Sequence, residues 1–106
     1  MNASFRKGAL TLCVLALVHQ HDRYGYDLAQ ILAEKFHIAE GSVYPLLRRL
    51  TKEGYFTAYL RESPTGPPRK YYRITEAGED YLRSLSKEWQ LFIQSVNQIL
   101  EGEKTG

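Results

Sequence analysis

Apolar residues recur along most of this chain at intervals of three and four, and give way to alternation between residues 55 and 75. That order of periods predicts three helices, two strands and a long final helix. In the first helix, residues 4–20, Leu10, Cys13, Val14, Leu17 and Val18 make one face. Leu12 and Leu15 widen it, so burial on most sides is expected. The polar stretch His21–Gly25 reads as a connection. A second helix runs from about Tyr24 to Phe36, with Leu28, Ile31, Leu32 and Phe36 turned inward. The third lies within Ile38–Gly54: Val43, Leu46, Leu47 and Leu50 form its stripe, and Gly41, Pro45, Arg48, Arg49 and Lys52 lie opposite, with Ser42 and Tyr44 on the flanks. Proline is tolerated in the first turn of a helix, where its missing N–H costs little. A start near Gly41 or Ser42, with Ser42 as cap, is therefore expected, and Gly54 is the natural stop.

The strand-like runs are Tyr55–Glu62 and Lys70–Thr75, the second with Tyr72 and Ile74 on one face and Tyr71 and Arg73 on the other. Between them Ser63–Arg69 holds three prolines and Gly66, which predicts a stiffened hairpin tip that continues neither strand. Thr75 is placed to cap the last helix, with Glu76 and Glu79 in its first turn. That helix reaches about Leu100, and Leu82, Leu85, Trp89, Phe92, Val96 and Ile99 follow one another at spacings of 3, 4, 3, 4 and 3. This is a sustained seam of the coiled-coil type, broadened by Ile93 and Leu100. It carries more apolar surface than a small domain covers, and the economical partner is the same helix of a second copy, with part of the seam also packing on the first helix. The expected fold is mainly α with a small β-wing. Residues 1–75 form a winged helix-turn-helix for DNA, and 76–106 form one long C-terminal dimerisation helix with a frayed tail, the two making one compact unit.

Charge sharpens this picture through its distribution. The net charge of +2 divides into +5 over residues 1–75 and −3 over residues 76–106. A basic front suits contact with a polyanion. The single cysteine, Cys13, excludes an internal disulfide framework and reads as a small core residue in a reducing cytoplasm. The apolar run Ala9–Val18 is too short to span a bilayer and no cleavage signal follows it, so a cytoplasmic protein without membrane contact is expected. His19, His21 and His37 with one cysteine lack the number and spacing of a metal set. Ser42 has no evident base and there is no phosphate-cradling glycine loop, so neither an enzyme nor a cofactor protein is expected.

Several segments together resemble the PadR family of bacterial transcriptional regulators, in its short branch with one C-terminal helix. They are Lys7-Gly8 with Leu10, Tyr24-Gly25-Tyr26-Asp27-Leu28, the run from Gly41 to Leu50, Glu53-Gly54, and Gly66 with the run from Arg69 to Gly78. The resemblance implies a homodimeric repressor whose third helix enters the major groove of double-stranded DNA at an inverted-repeat operator, and whose wing reaches the backbone or minor groove. In multidrug-sensing members a tryptophan of the last helix lines a pore at the dimer centre and stacks on planar aromatic drugs. Trp89 matches that position, and Phe92, Leu85 and Cys13 are placed to line the same space. Ala39 departs from the polar cap of many relatives.

On this reading the DNA contacts come from Ser42, Tyr44 and Pro45 at the start of the third helix, Arg48 and Arg49 further along it, Gly66, Arg69, Lys70 and Arg73 of the wing, and Lys7 before the first helix. Ser42 and Tyr44 stand nearest the bases and the arginines nearest the phosphates. Each has a plain structural alternative: capping by Ser42, packing of Tyr44 on the wing, solvated arginines, a solvated wing tip and a basic terminus, and for Trp89 a core position in the dimer seam. Two other functions fit the same pattern, a winged-helix module that docks an acidic protein and a repressor with no small-molecule effector.

Overall fold

The computed structural model describes residues 3–102. Helix α1 is Ala3–Gln20, strand β1 Arg23–Tyr24, helix α2 Gly25–Phe36, a 3-10 turn Glu40–Ser42, helix α3 Tyr44–Lys52, strand β2 Phe56–Ser63, strand β3 Gly66–Ile74 and helix α4 Glu76–Leu100. The strands form one antiparallel sheet in the order β1-β3-β2. This is the mainly helical fold with a β-wing and a long last helix that the period pattern predicts.

The core lies where three helices meet one face of the sheet. Val14, Leu15 and Val18 enter from α1, Leu28, Ala29 and Leu32 from α2, Leu47 and Leu50 from α3, and Phe56 and Tyr72 from the sheet, with Val43 at the entry to α3. The first half of α4 belongs to the same core: Tyr81, Leu82 and Leu85 pack against it, and the Tyr81 ring stacks on Tyr55 at 4.3 Å between centroids. The second half leaves it. Leu91 is 57% exposed, Phe92 50%, Ile99 75% and Leu100 77%. Among the described residues no helix is long and apolar enough to cross a membrane, and no cluster of His, Cys, Asp and Glu could hold a metal ion.

Three details depart from the sequence pattern. The connection at His21–Gly25 contains β1, where Arg23 pairs with Tyr72 and Tyr24 with Tyr71. A two-residue strand has no period to read, and α2 accordingly begins at Gly25. Ser42 does not cap α3. The helix starts at Tyr44 after Val43 with no side-chain cap, and the Ser42 hydroxyl donates to the Ala39 carbonyl at 2.7 Å inside the 3-10 turn. Pro45 then falls in the first turn, as its chemistry requires. The wing tip is shorter than predicted: β2 runs to Ser63 and β3 begins at Gly66, so Pro67 and Pro68 lie within a strand. They are tolerated because β1 pairs with β3 through Tyr71 and Tyr72, leaving the proline segment at an edge, and because the ladder to β2 is irregular between Arg61 and Ser63. Leu82 and Leu85, at the start of the expected seam, pack against this core, as the pattern allows for part of the seam.

The path from α3 through the wing into α4 is closed by a small set of hydrogen bonds. Gly54, at φ 88°, reverses the chain; its N–H donates to Thr51 (3.1 Å) and that of Tyr55 to Leu50 (2.9 Å). The Thr75 hydroxyl donates to the Gly54 carbonyl at 2.7 Å and accepts from the Gly78 N–H at 3.0 Å, capping α4 as expected. The backbone of α4 crosses the start of β2 so closely that a Cβ on Gly78 would sit 2.2 Å from the Tyr55 carbonyl oxygen and 2.7 Å from Ile74 Cγ1.

Gly78→Ala is therefore expected to destabilise the fold by about 1–3 kcal/mol or more, as overpacking against a backbone atom that cannot turn aside. Thr75→Ala removes the cap and is expected to cost about 0.5–2 kcal/mol. Urea denaturation followed by circular dichroism measures both. A Gly78→Ala variant as stable as the parent would mean that α4 does not cross β2 at this distance.

Candidate nucleic-acid interface

Two faces of α3 carry different parts of the expected DNA set. Toward the wing, Tyr44 in the first turn and Arg48 one turn later face Arg69 and Lys70 across an open cleft of ≈ 420 Å³. The cleft is narrow because Gly25 lets the start of α2 approach the sheet; a Cβ there would meet the Tyr72 ring at 3.1 Å. The wing cations are held by ring faces. The Arg69 guanidinium lies 5.0 Å from the Tyr24 centroid, and Lys70 Nζ 5.8 Å from that of Tyr72. Partial burial, then the charge of Glu40, pushes the Tyr44 phenol above its ordinary range. Burial likewise raises Tyr72, and the Arg48 charge works against that shift.

Ser42, Pro45, Arg49 and Lys7 lie on the other flank of α3, along a groove of ≈ 680 Å³ between this helix and the start of α1. Arg49 is tied back. Its Nε lies 3.6 Å from Glu53 and its Nη2 donates to the Thr11 hydroxyl at 3.3 Å. The adjacent arginines Arg48 and Arg49 thus diverge to opposite sides of α3, as about 100° per residue demands.

Arg73 and Gly66 are not brought to the cleft. Gly66 is exposed at the hairpin tip. Arg73 lies on the outer face of the sheet, where Nη2 and Nε each lie 3.1 Å from Asp22 Oδ2. The same carboxylate oxygen accepts from the Tyr59 hydroxyl at 2.6 Å, and this bond raises the Tyr59 phenol above its ordinary range. Around this anchor runs an interleaved array. Tyr24 stacks on Tyr71 (5.7 Å) and Tyr71 on Tyr59 (5.8 Å), with Arg61 over Tyr71 (4.7 Å) and Arg73 over Tyr59 (5.0 Å). Asp22, Tyr24, Tyr59, Arg61 and Tyr71 were absent from the sequence-derived site. The period of two within each strand puts Tyr59 and Arg61 on one face and Tyr71 and Arg73 on another. Placing those two faces together needs the register Tyr59 to Tyr71, which pattern alone does not supply.

Trp89 lies in a third groove, of ≈ 260 Å³, between α1 and α4, together with Gly8, Leu12, Leu85 and Phe92. The Trp89 and Phe92 rings are 6.3 Å apart. Cys13 does not line this groove; Leu12 takes that place, and burial against the core raises the Cys13 thiol.

Comparison with known proteins agrees with this geometry. Residues 14–84 match the model of the transcriptional regulator PadR-like family. A PadR-like transcriptional regulator from Bacillus cereus superposes with a TM-score of 0.84 at 38% identity, covering 95% of this chain and 100% of that one. A Streptococcus transcriptional regulator does so with a TM-score of 0.84 at 37% identity, over 92% of this chain and 98% of that one. An uncharacterized protein of Lysinibacillus sphaericus is 36% identical over 100 residues, 91% of this chain and 92% of the relative. The negative transcriptional regulator PadR of Bacillus subtilis is 28% identical over 98 residues, which is 89% of this chain but 52% of that longer protein. With the winged helix, the basic cleft and the long last helix in place, the chain belongs to the PadR-like family of transcriptional regulators, which are not enzymes.

Proposed function

We propose that this regulator acts as a homodimeric repressor that reads an inverted-repeat operator through α3 and the wing. The observation that carries this reading is the convergence of Tyr44, Arg48, Arg69 and Lys70 on one cleft, from elements far apart in the chain. The first turn of α3 is presented with the exposed Ser42 and Pro45 beside it, so this end of the helix meets base edges in the major groove. Arg48, Arg69 and Lys70 neutralise phosphates on either side and fix the register. Lys7 and Arg49 add to the phosphate set from the opposite flank. Arg73, paired to Asp22, supports the wing rather than touching DNA.

Dimerisation proceeds through the second half of α4. Leu91, Phe92, Ile99 and Leu100 are exposed in one protomer, and burying them against a second copy gives two reading heads related by a two-fold axis, the symmetry an inverted repeat demands. Trp89 and Phe92 then lie beside the dimer centre with Leu85. A planar aromatic effector stacked there changes the separation of the two heads and releases the operator.

Two outcomes check this reading. Affinity for DNA falls steeply with salt; Arg69→Ala with Lys70→Ala weakens binding to all sequences alike and lowers the salt slope by about 1 for each phosphate no longer neutralised. Tyr44→Phe and Ser42→Ala instead shift the sequence selected from random DNA. Unchanged affinity and preference in all three variants, measured by fluorescence anisotropy and by selection, would falsify the interface. Planar aromatic compounds quench the fluorescence of Trp89, the one tryptophan. Trp89→Ala keeps the dimer by sedimentation yet loses release of DNA by those compounds; release that persists in this variant places the effector elsewhere.

A further inference from the structure

The groove between α1 and the reading helix differs from the wing-side cleft in size and chemistry. It holds ≈ 680 Å³, and Leu10, Ile38, Ala39, Pro45 and Leu46 give it aliphatic walls. A space of this size, mostly apolar with a few placed charges, is characteristic of small-molecule sites. Arg6, Lys7 and Arg49 stand around it, and no carboxylate occurs among the described residues that line it. Arg49 is paired with Glu53, and its hydrogen bonding is only partly met. Its Nε is buried without a hydrogen bond, at 3.6 Å from Glu53, and its Nη2 makes one long bond of 3.3 Å to Thr11. A guanidinium has five donors in a fixed fork that matches a carboxylate. His37, also on the groove, takes φ 54° as the left-handed cap that ends α2, its N–H donating to the Ala33 carbonyl.

We propose that this groove is a binding site for a medium-chain aliphatic carboxylate, with the alkyl chain along Leu10, Ile38 and Leu46 and the anionic head at Arg49, Arg6 and Lys7. Aliphatic walls suit an alkyl body better than a flat ring, which separates this ligand from one stacked on Trp89. Occupancy bears on DNA because Ser42, Pro45, Arg49 and Lys7 line the groove and are also assigned to the DNA face. A bound carboxylate neutralises cations that would otherwise meet phosphate. That consequence rests on the DNA-binding reading; the binding itself does not.

The test is calorimetric titration of the whole chain with sodium decanoate below its micelle concentration, with methyl NMR of leucine and isoleucine residues in parallel. Saturable binding is expected, with shifts at Leu10, Ile38 and Leu46 larger than at Leu91 and Ile99. Decanol and decyltrimethylammonium, which lack the anion, are expected to bind at least about tenfold more weakly, and so is decanoate to the double charge reversal Arg6→Glu with Lys7→Glu. These two side chains are exposed, so the fold tolerates the change. Absence of saturable binding, equal binding of decanol, undiminished binding by the charge-reversed variant, or shifts confined to α4 would each overturn the site. With DNA added, decanoate raises the apparent Kd; an unchanged Kd overturns the coupling. Failure of the ligand-free chain to bind any DNA defeats the DNA reading separately, since the groove is titrated without DNA.

Discussion

The contact on which the rest of the molecule depends is the crossing of α4 over the start of β2 at Gly78. No side chain fits there, so the two backbones lie against each other, and Thr75 closes the junction by joining Gly54 on one side and Gly78 on the other. The Thr75 N–H donates to Tyr55 as well, at 3.0 Å. The end of the reading helix, both strands of the wing and the beginning of α4 thus meet within one turn of chain. A shift of α4 relative to the winged domain has to pass through this junction, because buried packing on either side resists gradual deformation. A displacement of α4 would therefore reach α3 through this joint.

The wing is stiffened separately. Asp22, in the short link between α1 and α2, accepts from Tyr59 on β2 and pairs with Arg73 on β3. One carboxylate thereby ties both wing strands to the helical body. The tyrosines and arginines stacked beside it limit the rotamers of Arg61 and Arg73, while Tyr24 carries Arg69 at the cleft. Long cationic side chains lose entropy when a phosphate fixes them, and ordering them beforehand on ring faces reduces that loss. The wing therefore meets the cleft with its charges already positioned. Charge follows the same division, +5 over residues 1–75 and −3 over residues 76–106.

Helix α4 is divided by what its apolar residues touch. Leu82 and Leu85 continue the seam in sequence but pack against the core, and the exposed stretch begins near Leu91. Trp89 and Phe92 stand at the changeover, next to α1. The pair thus stands where α4 passes from packing on the core to exposure.

Much of this was written in local pattern. The helix periods of α1, α2 and α4, the alternation in KYYRIT, Pro45 in a first turn, Gly54 as a stop and Thr75 as a cap each depend on residues within a few positions of one another, so the sequence by itself determined the elements, their order and the basic cast of the site. Tertiary structure decided the rest. The two-residue β1 exists because β3 offers it a partner, Pro67 and Pro68 are admitted to a strand because β1 stops short of them and the ladder to β2 is irregular beside them, and Arg48 and Arg49 part company across α3. Arg73 turns to Asp22, which lies 51 residues away in the chain. Pairings of that span are fixed by register and by the packing of several elements at once, and neither quantity is encoded in the period of any single stretch.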